Sequence, residues 1–207
     1  MREILEQSQG MKVDIPTYFV EFDRAFWRIG SAGFWKLECR QDYQETKSAS
    51  WEAFRRGDWS GSLRLFHEQR SEFEAYYARI SAVGFLHHRA RVVEEPVTPY
   101  LQWELHLLQT KDQYGEGVSI LTTDRLAALG VTAPLPDVVV LGREVAYEVH
   151  YTDQGQLDGA TRHSARAVVD DARAFIQRLH GDGEPLASYF PRAIAGLRPP
   201  NQPEPDA

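Results

Sequence analysis

The stretch from Phe85 to Pro96 reads FLHHRARVVEEP and runs directly into Thr98-Pro99, and this junction constrains the fold more than any other part of the chain. Period-two patterning that ends in β-branched residues predicts a strand, and Pro96 closes it because proline has no N–H to give to a ladder. Thr98 is then placed to cap a helix, with Pro99 at its first position, where a missing N–H costs nothing. Tyr100, Trp103 and Leu107 form one stripe of that helix, Leu101, Leu105 and Leu108 widen it, and Gly115 marks its end region. A strand that hands over within a few residues to an apolar helix commits this part of the chain to layered α and β structure.

Downstream, GVSILTT predicts another strand and Asp124 to Leu129 a short helix. DVVVLGREVAYEVHY reads as two strands joined at Gly142-Arg143, and Asp153-Gln154-Gly155 turns into a further strand near Gln156 to Arg162. Ser164 is expected to cap a helix that buries Val168, Ala172, Phe175, Ile176 and Leu179 before Gly181. Upstream, Tyr18 to Tyr43 is crowded with Phe19, Phe22, Phe26, Trp27, Phe34 and Trp35, broken by a turn at Gly30-Ser31-Ala32-Gly33. These rings belong in a core or an interface, and a homodimer built through them is one option. A short helix is expected from Ser48 to Arg56, stopping at Gly57. One longer helix, capped by Ser60 or Ser62, should follow, with Leu63, Phe66, Phe73, Tyr77 and Ile80 on one side until Gly84.

The expected fold class is α+β, a mixed β-sheet covered by helices. Residues 1–24 are read as an N-terminal extension and residues 25–195 as a single α+β domain, helical over 25–84 and sheet-forming over 85–195. The proline-rich GLRPPNQPEPDA of 196–207 is expected to be a disordered tail.

With 207 residues, 23 Lys plus Arg and 30 Asp plus Glu, the net charge is −7. That balance argues against direct nucleic-acid binding, which calls for a basic face. It suits a protein kept soluble by its acidic surface or docked on a basic protein. No apolar run approaches the roughly 20 residues of a membrane span, and MREILEQSQG at the start lacks the apolar stretch of a secretory signal. The single cysteine, Cys39, excludes an internal disulfide and fits the reducing cytoplasm. The preference for Arg over Lys is what a GC-rich bacterial genome encodes.

Seven histidines are present, at 67, 87, 88, 106, 150, 163 and 180, none in a tight zinc spacing, so no metal and no cofactor is expected. Walker, GxSxG and GxGxxG motifs are missing. The best polar constellation lies on the Phe85 strand, whose alternation sends His87, Arg89 and Arg91 to one face. Tyr100 and Glu104 sit one turn apart on the next helix, and Glu116 opens the next strand. Two guanidiniums side by side suit a small anionic ligand, while Arg89 and Arg91 would equally pair with Glu104 and Glu116 as an internal salt-bridge network. The candidate ligand site is therefore Arg89, Arg91, Tyr100, Glu104 and Glu116.

FWKLECRQDY, RARVVEEPVTPYLQWE, GEGVSIL and PDVVVLGREVAYEVHYTDQG together resemble an actinobacterial family of domains of unknown function (DUF6879-like) over about Phe34 to Arg192. Trp35, Glu38, Arg89, Arg91, Pro96, Tyr100, Glu104, Gly115, Glu116 and Asp137 carry the match, and Gly142 departs from it where an acidic residue is expected. The resemblance implies a neighbouring helix-turn-helix regulator as partner. The strand order is similar to half of a phospholipase-D-like fold, which implies a His-x-Lys signature. Here His150-Tyr151-Thr152 lacks the lysine. The expected function is a non-catalytic accessory or regulatory protein that binds another protein or a small anion. The alternative is a small phosphoester hydrolase or transferase using His150.

Overall fold

A computed structural model describes residues 1–131 and 134–200. Eight strands among them form one mixed sheet: β1 (Met11–Val13), β2 (Phe34–Glu38), β3 (His87–Val93), β4 (Glu116–Thr122), β5 (Asp137–Leu141), β6 (Val145–Tyr151), β7 (Leu157–His163) and β8 (Glu184–Pro185). Their order across the sheet is β1-β7-β6-β5-β2-β3-β4-β8, with β2, β3 and β4 mutually parallel and every other pairing antiparallel. The α+β class and the strand and helix order read from Phe85 to Gly181 are those observed; β8 and the helix over Leu186–Ala193 that follow were not among the expected elements.

The helices are α1 (Arg2–Leu5), α2 (Ile15–Phe26), α3 (Ala49–Arg55), α4 (Trp59–Glu68), α5 (Arg70–Val83), α6 (Pro99–Asp112), α7 (Thr123–Ala128), α8 (Arg166–Asp182) and α9 (Leu186–Ala193). Thr98 caps α6, its hydroxyl accepting from the Leu101 amide at 3.1 Å, and Pro99 opens the helix. One face of the sheet buries Trp35, Leu37, Ala90, Val92, Leu121, Val138 and Val140 against Val168, Val169, Ala172, Ile176 and Leu179 of α8. On the opposite face, α3, α4, α6 and α9 cover β3 and β4 through Trp51, Phe54, Phe66, Trp103 and Tyr189. The same face carries α2 over the β5–β7 meander, through Phe26 and Tyr147, and α5 beside the starts of β3 and β4, where Tyr77 meets His87 and Glu116.

Several expectations need correction. The single helix to Gly84 is two, α4 and α5, meeting at Gln69. Asp58, not Ser60 or Ser62, caps α4, its carboxylate accepting from Gly61 at 2.8 Å. The Ser62 hydroxyl is used elsewhere, 2.8 Å from the Ser50 hydroxyl and 3.0 Å from the Trp103 indole nitrogen that donates to it. Ser164 does not cap α8; Ala165 occupies that position without a side-chain bond. The segment 25–84 is not wholly helical, because it contains β2 in the middle of the sheet. FWKLE is almost fully buried, and a strand covered on both faces shows no alternation to read. Residues 11–13, inside the expected extension, pair with β7 as an edge strand. Of the expected tail, 201–207 lie outside the described residues, whereas the Arg198 carbonyl accepts a 2.9 Å bond from Gln102.

Gly142 stands at the β5–β6 turn with φ +59°, and a Cβ there would lie 2.7 Å from the Ile29 carbonyl oxygen. Its amide donates to Gly33 and its carbonyl accepts from Arg173 at 3.0 Å. The backbone strain and the crowding by Ile29 give a physical reason for glycine at this position, where the family resemblance leads one to expect an acidic residue. Gly142→Asp is expected to lose at least about 1–2 kcal/mol from left-handed backbone strain alone, read as a lowered urea midpoint; an unchanged midpoint would show that the turn relaxes freely.

Candidate functional site

Strand alternation and the parallel register of β2, β3 and β4 build a charged layer between the sheet and the helices above it. Glu38 is paired across from Arg91, and His87 across from Glu116. Arg89 donates through Nε to Glu116 at 2.6 Å and through Nη1 to Glu38. Arg91 donates through Nε to Glu104 at 2.8 Å, and through Nη1 to the carbonyls of Val92 at 3.0 Å and Glu38 at 3.3 Å. Lys36 pairs with Glu38. Tyr77 donates to Glu116 at 2.5 Å, and Tyr100 to Glu104 at 3.3 Å and Glu45 at 3.0 Å. Both arginines thus point to the same face, and the side chains of Arg89, Arg91, Glu104 and Glu116 are each at most 10% exposed.

Electrostatics follow from burial and pairing. Burial pushes the Glu38 and Glu116 carboxyls up, but the cations around them, Arg89 foremost, outweigh it and hold both well below the usual carboxylate range. Glu104 is raised, chiefly by burial, with Glu38 adding to it against Arg91. Asp137, where β5 begins, is also raised by burial and by Glu38, although Tyr43 and the Cys39 amide donate to it. Burial holds the His87 imidazole down to about 4, so the ring is neutral at pH 7.

A cleft reaches this layer from solvent. It is about 440 Å³ in volume and is lined by Glu72, Phe73, Tyr76, Tyr77, His87, Arg89, Lys111 and Glu116. Of the expected ligand residues, Arg89 and Glu116 reach this cleft, whereas Arg91, Tyr100 and Glu104 lie among the side chains inside. Sequence reasoning missed Lys111, Tyr77 and, as part of the site, Glu38. Lys111 is in the last turn of α6, and the spacing of that helix alone does not say which strand its end meets. Within 4.0 Å the Lys111 ammonium has no carboxylate among the described residues. Its nitrogen stands 5.8 Å from the Phe73 ring centroid. Burial, then Arg89 and Lys36, lowers its pKa against the pull of Glu116. Deeper in, the His87 Nδ1 has no hydrogen-bond partner and lies 3.8 Å from Glu116 on a residue only 7% exposed.

His150 sits apart, facing a second cleft of about 380 Å³ that also includes Arg2, Cys39, Arg40, Glu94, Asp137 and Glu148. Its Nε2 is 2.7 Å from the Thr161 hydroxyl. Arg40 is tied to the carbonyls of Asp42 and Asp153, both at 2.7 Å. Of the basic residues downstream of His150, Arg162 pairs with Glu21 and Arg166 with Asp170. Burial pushes the Cys39 thiol well above its ordinary range, which leaves a poor nucleophile. The cleft sets three carboxylates beside its two arginines, and Arg40 is already engaged by backbone carbonyls. His150→Ala is accordingly expected to cost only about 1 kcal/mol in stability, the worth of one hydrogen bond. It should also leave hydrolysis of bis(p-nitrophenyl) phosphate at the background of the unsubstituted protein; robust turnover that vanishes in the variant would establish His150 as catalytic.

A family model described as Domain of unknown function (DUF6879) matches residues 20–191. No curated protein and no solved structure matches the chain. No helix among the described residues is long and apolar enough to cross a membrane.

Proposed function

We propose that this chain, which belongs to the DUF6879 family of domains of unknown function, is a non-catalytic accessory or regulatory protein that binds a small anion in the cleft beside Lys111. One observation carries the reading: a half-buried lysine, Lys111, lines the cleft with no carboxylate within 4.0 Å of its ammonium among the described residues, while the neighbouring charges are spent on one another. Buried charges are normally paired, so an anion at Lys111 supplies what the fold omits. The Arg89–Glu116 pair forms the floor, holding the neutral His87 ring beside it. The Tyr77 hydroxyl is committed to Glu116.

A cytoplasmic regulatory setting is consistent with the net charge of −7, which favours docking on a basic protein such as a helix-turn-helix regulator over contact with nucleic acid. Titration of ¹⁵N-labelled protein with sodium acetate tests the binding. Resonances of residues 72–77, 87 and 111 should shift saturably, and Lys111→Gln should remove the shifts while retaining the native spectrum. Saturable shifts centred on His150 and Arg40 instead, or none at all, would overturn the proposal.

A further inference from the structure

The cleft beside Lys111 has more character than a cation alone requires. Its α5 wall presents Phe73, Tyr76 and Tyr77 on adjacent turns, and the His87 ring lies beside the Arg89–Glu116 floor. Tyr77 meets His87 edge-on, with centroids 5.6 Å apart and planes at 87°. Tyr76 meets Tyr77 in the same way, at 5.1 Å and 84°. Tyr76 is further held by two rings that do not line the cleft, Phe26 stacked at 6.2 Å and Trp27 at a steep angle at 6.0 Å. Even so, Tyr76 remains 38% exposed. An exposed ring held by its neighbours offers a flat, rigid surface to an incoming molecule.

Charge sets the other half of the specificity. Glu116 is neutralised by Arg89 and accepts from Tyr77, which leaves Lys111 as a cleft cation without a carboxylate in contact among the described residues. Glu72 stands among the lining residues and repels a second negative charge. A dianion such as phosphate therefore fits worse than a monoanion. The volume, about 440 Å³, falls in the lower part of the roughly 300–1,000 Å³ range of small-molecule sites.

We infer that the ligand is a small aromatic monocarboxylate, its carboxylate on Lys111 and its ring against Tyr76, Phe73 and His87. This rests on the anion-binding reading and goes beyond it by naming the ring. The probes are benzoate, cyclohexanecarboxylate, acetate, inorganic phosphate and the uncharged benzyl alcohol, each titrated into the full chain and followed by amide shifts at residues 72–77, 87 and 111. Benzoate is expected to bind about three- to tenfold more tightly than cyclohexanecarboxylate, the range that aromatic contacts supply, and more tightly than phosphate. Tyr76→Leu, at a half-open position, should erase that preference while acetate binding persists. Equal affinities for benzoate and cyclohexanecarboxylate would overturn the aromatic inference and leave the anion site standing. Benzyl alcohol binding as well as benzoate would overturn both, as would an absence of binding by every probe.

Discussion

Arg91→Met is expected to destabilise the protein by about 3–5 kcal/mol, the cost of leaving a buried carboxylate without its cation. Arg91 is fully buried, and Glu104 has it as its closest cation at 2.8 Å. Losing the guanidinium also frees the carbonyls of Glu38 and Val92 and takes away one of the cations that hold Glu38 ionised. Glu104→Leu alone should be costly for the mirror-image reason, since Arg91 already carries an Nη2 without a partner. Combining Arg91→Met with Glu104→Leu removes both charges and should recover most of the loss, because hydrophobic side chains of similar volume replace buried pairs at little net cost. Urea unfolding of the two single variants and the double variant measures the coupling. Strict additivity of the single effects would mean that the pair does not act as a unit.

Acid is expected to unfold the protein well above the usual carboxylate range. His87, His88 and His106 are each held down to about 4, first of all by burial, from an ordinary 6.5. Their folded pKa values lie below the unfolded ones, so their contribution is complete above pH 6.5 and is lost as pH falls from there toward 4. Over that window the unfolded chain takes up three protons that the folded chain refuses. The His87 shift is worth on the order of 3 kcal/mol, and those of His88 and His106, whose rings are partly open to solvent, are worth less because solvent screens them; together they are a sizeable fraction of an ordinary domain's stability, roughly 5–15 kcal/mol. His163 and His180, also lowered by burial, act in the same direction. Glu104 and Asp137, raised in the fold, return part of the loss as they protonate. Glu38 and Glu116 add theirs only below the ordinary carboxylate range. Circular dichroism from pH 8 to pH 3 should place the midpoint between pH 6.5 and 4. His106→Phe, at a ring packed edge-on against Trp59 and Phe190, should shallow the transition by one proton. Stability that stays level down to pH 4.5 would show that the histidines protonate within the fold.

How much of this was legible in the sequence follows the range of the interactions. Period-two alternation placed His87, Arg89 and Arg91 on one face because that rule is local to a strand. One helical turn placed Tyr100 and Glu104 together, and the Thr98-Pro99 cap located the start of their helix within a residue. Local rules fail where an element is buried all round, as β2 is. They fail again where several residues compete for one role: Asp58, Ser60 and Ser62 could each cap α4, and packing against Trp103 settled it.

By itself, then, the amino-acid order determined the α+β class, the order of strands and helices from Phe85 to Gly181 and the candidate arginine face, since each rests on contacts between near neighbours in the chain. Only the tertiary structure decided which charges those arginines meet. Glu38 joins Arg89 and Arg91 because β2 inserts between β3 and β5, a pairing with a residue some 50 positions away. Lys111 opposes His87 because α6 returns the chain to the start of β3's parallel neighbour, β4. Salt bridges and clefts are made by chain ends and strands that meet across such distances, and no local periodicity encodes them.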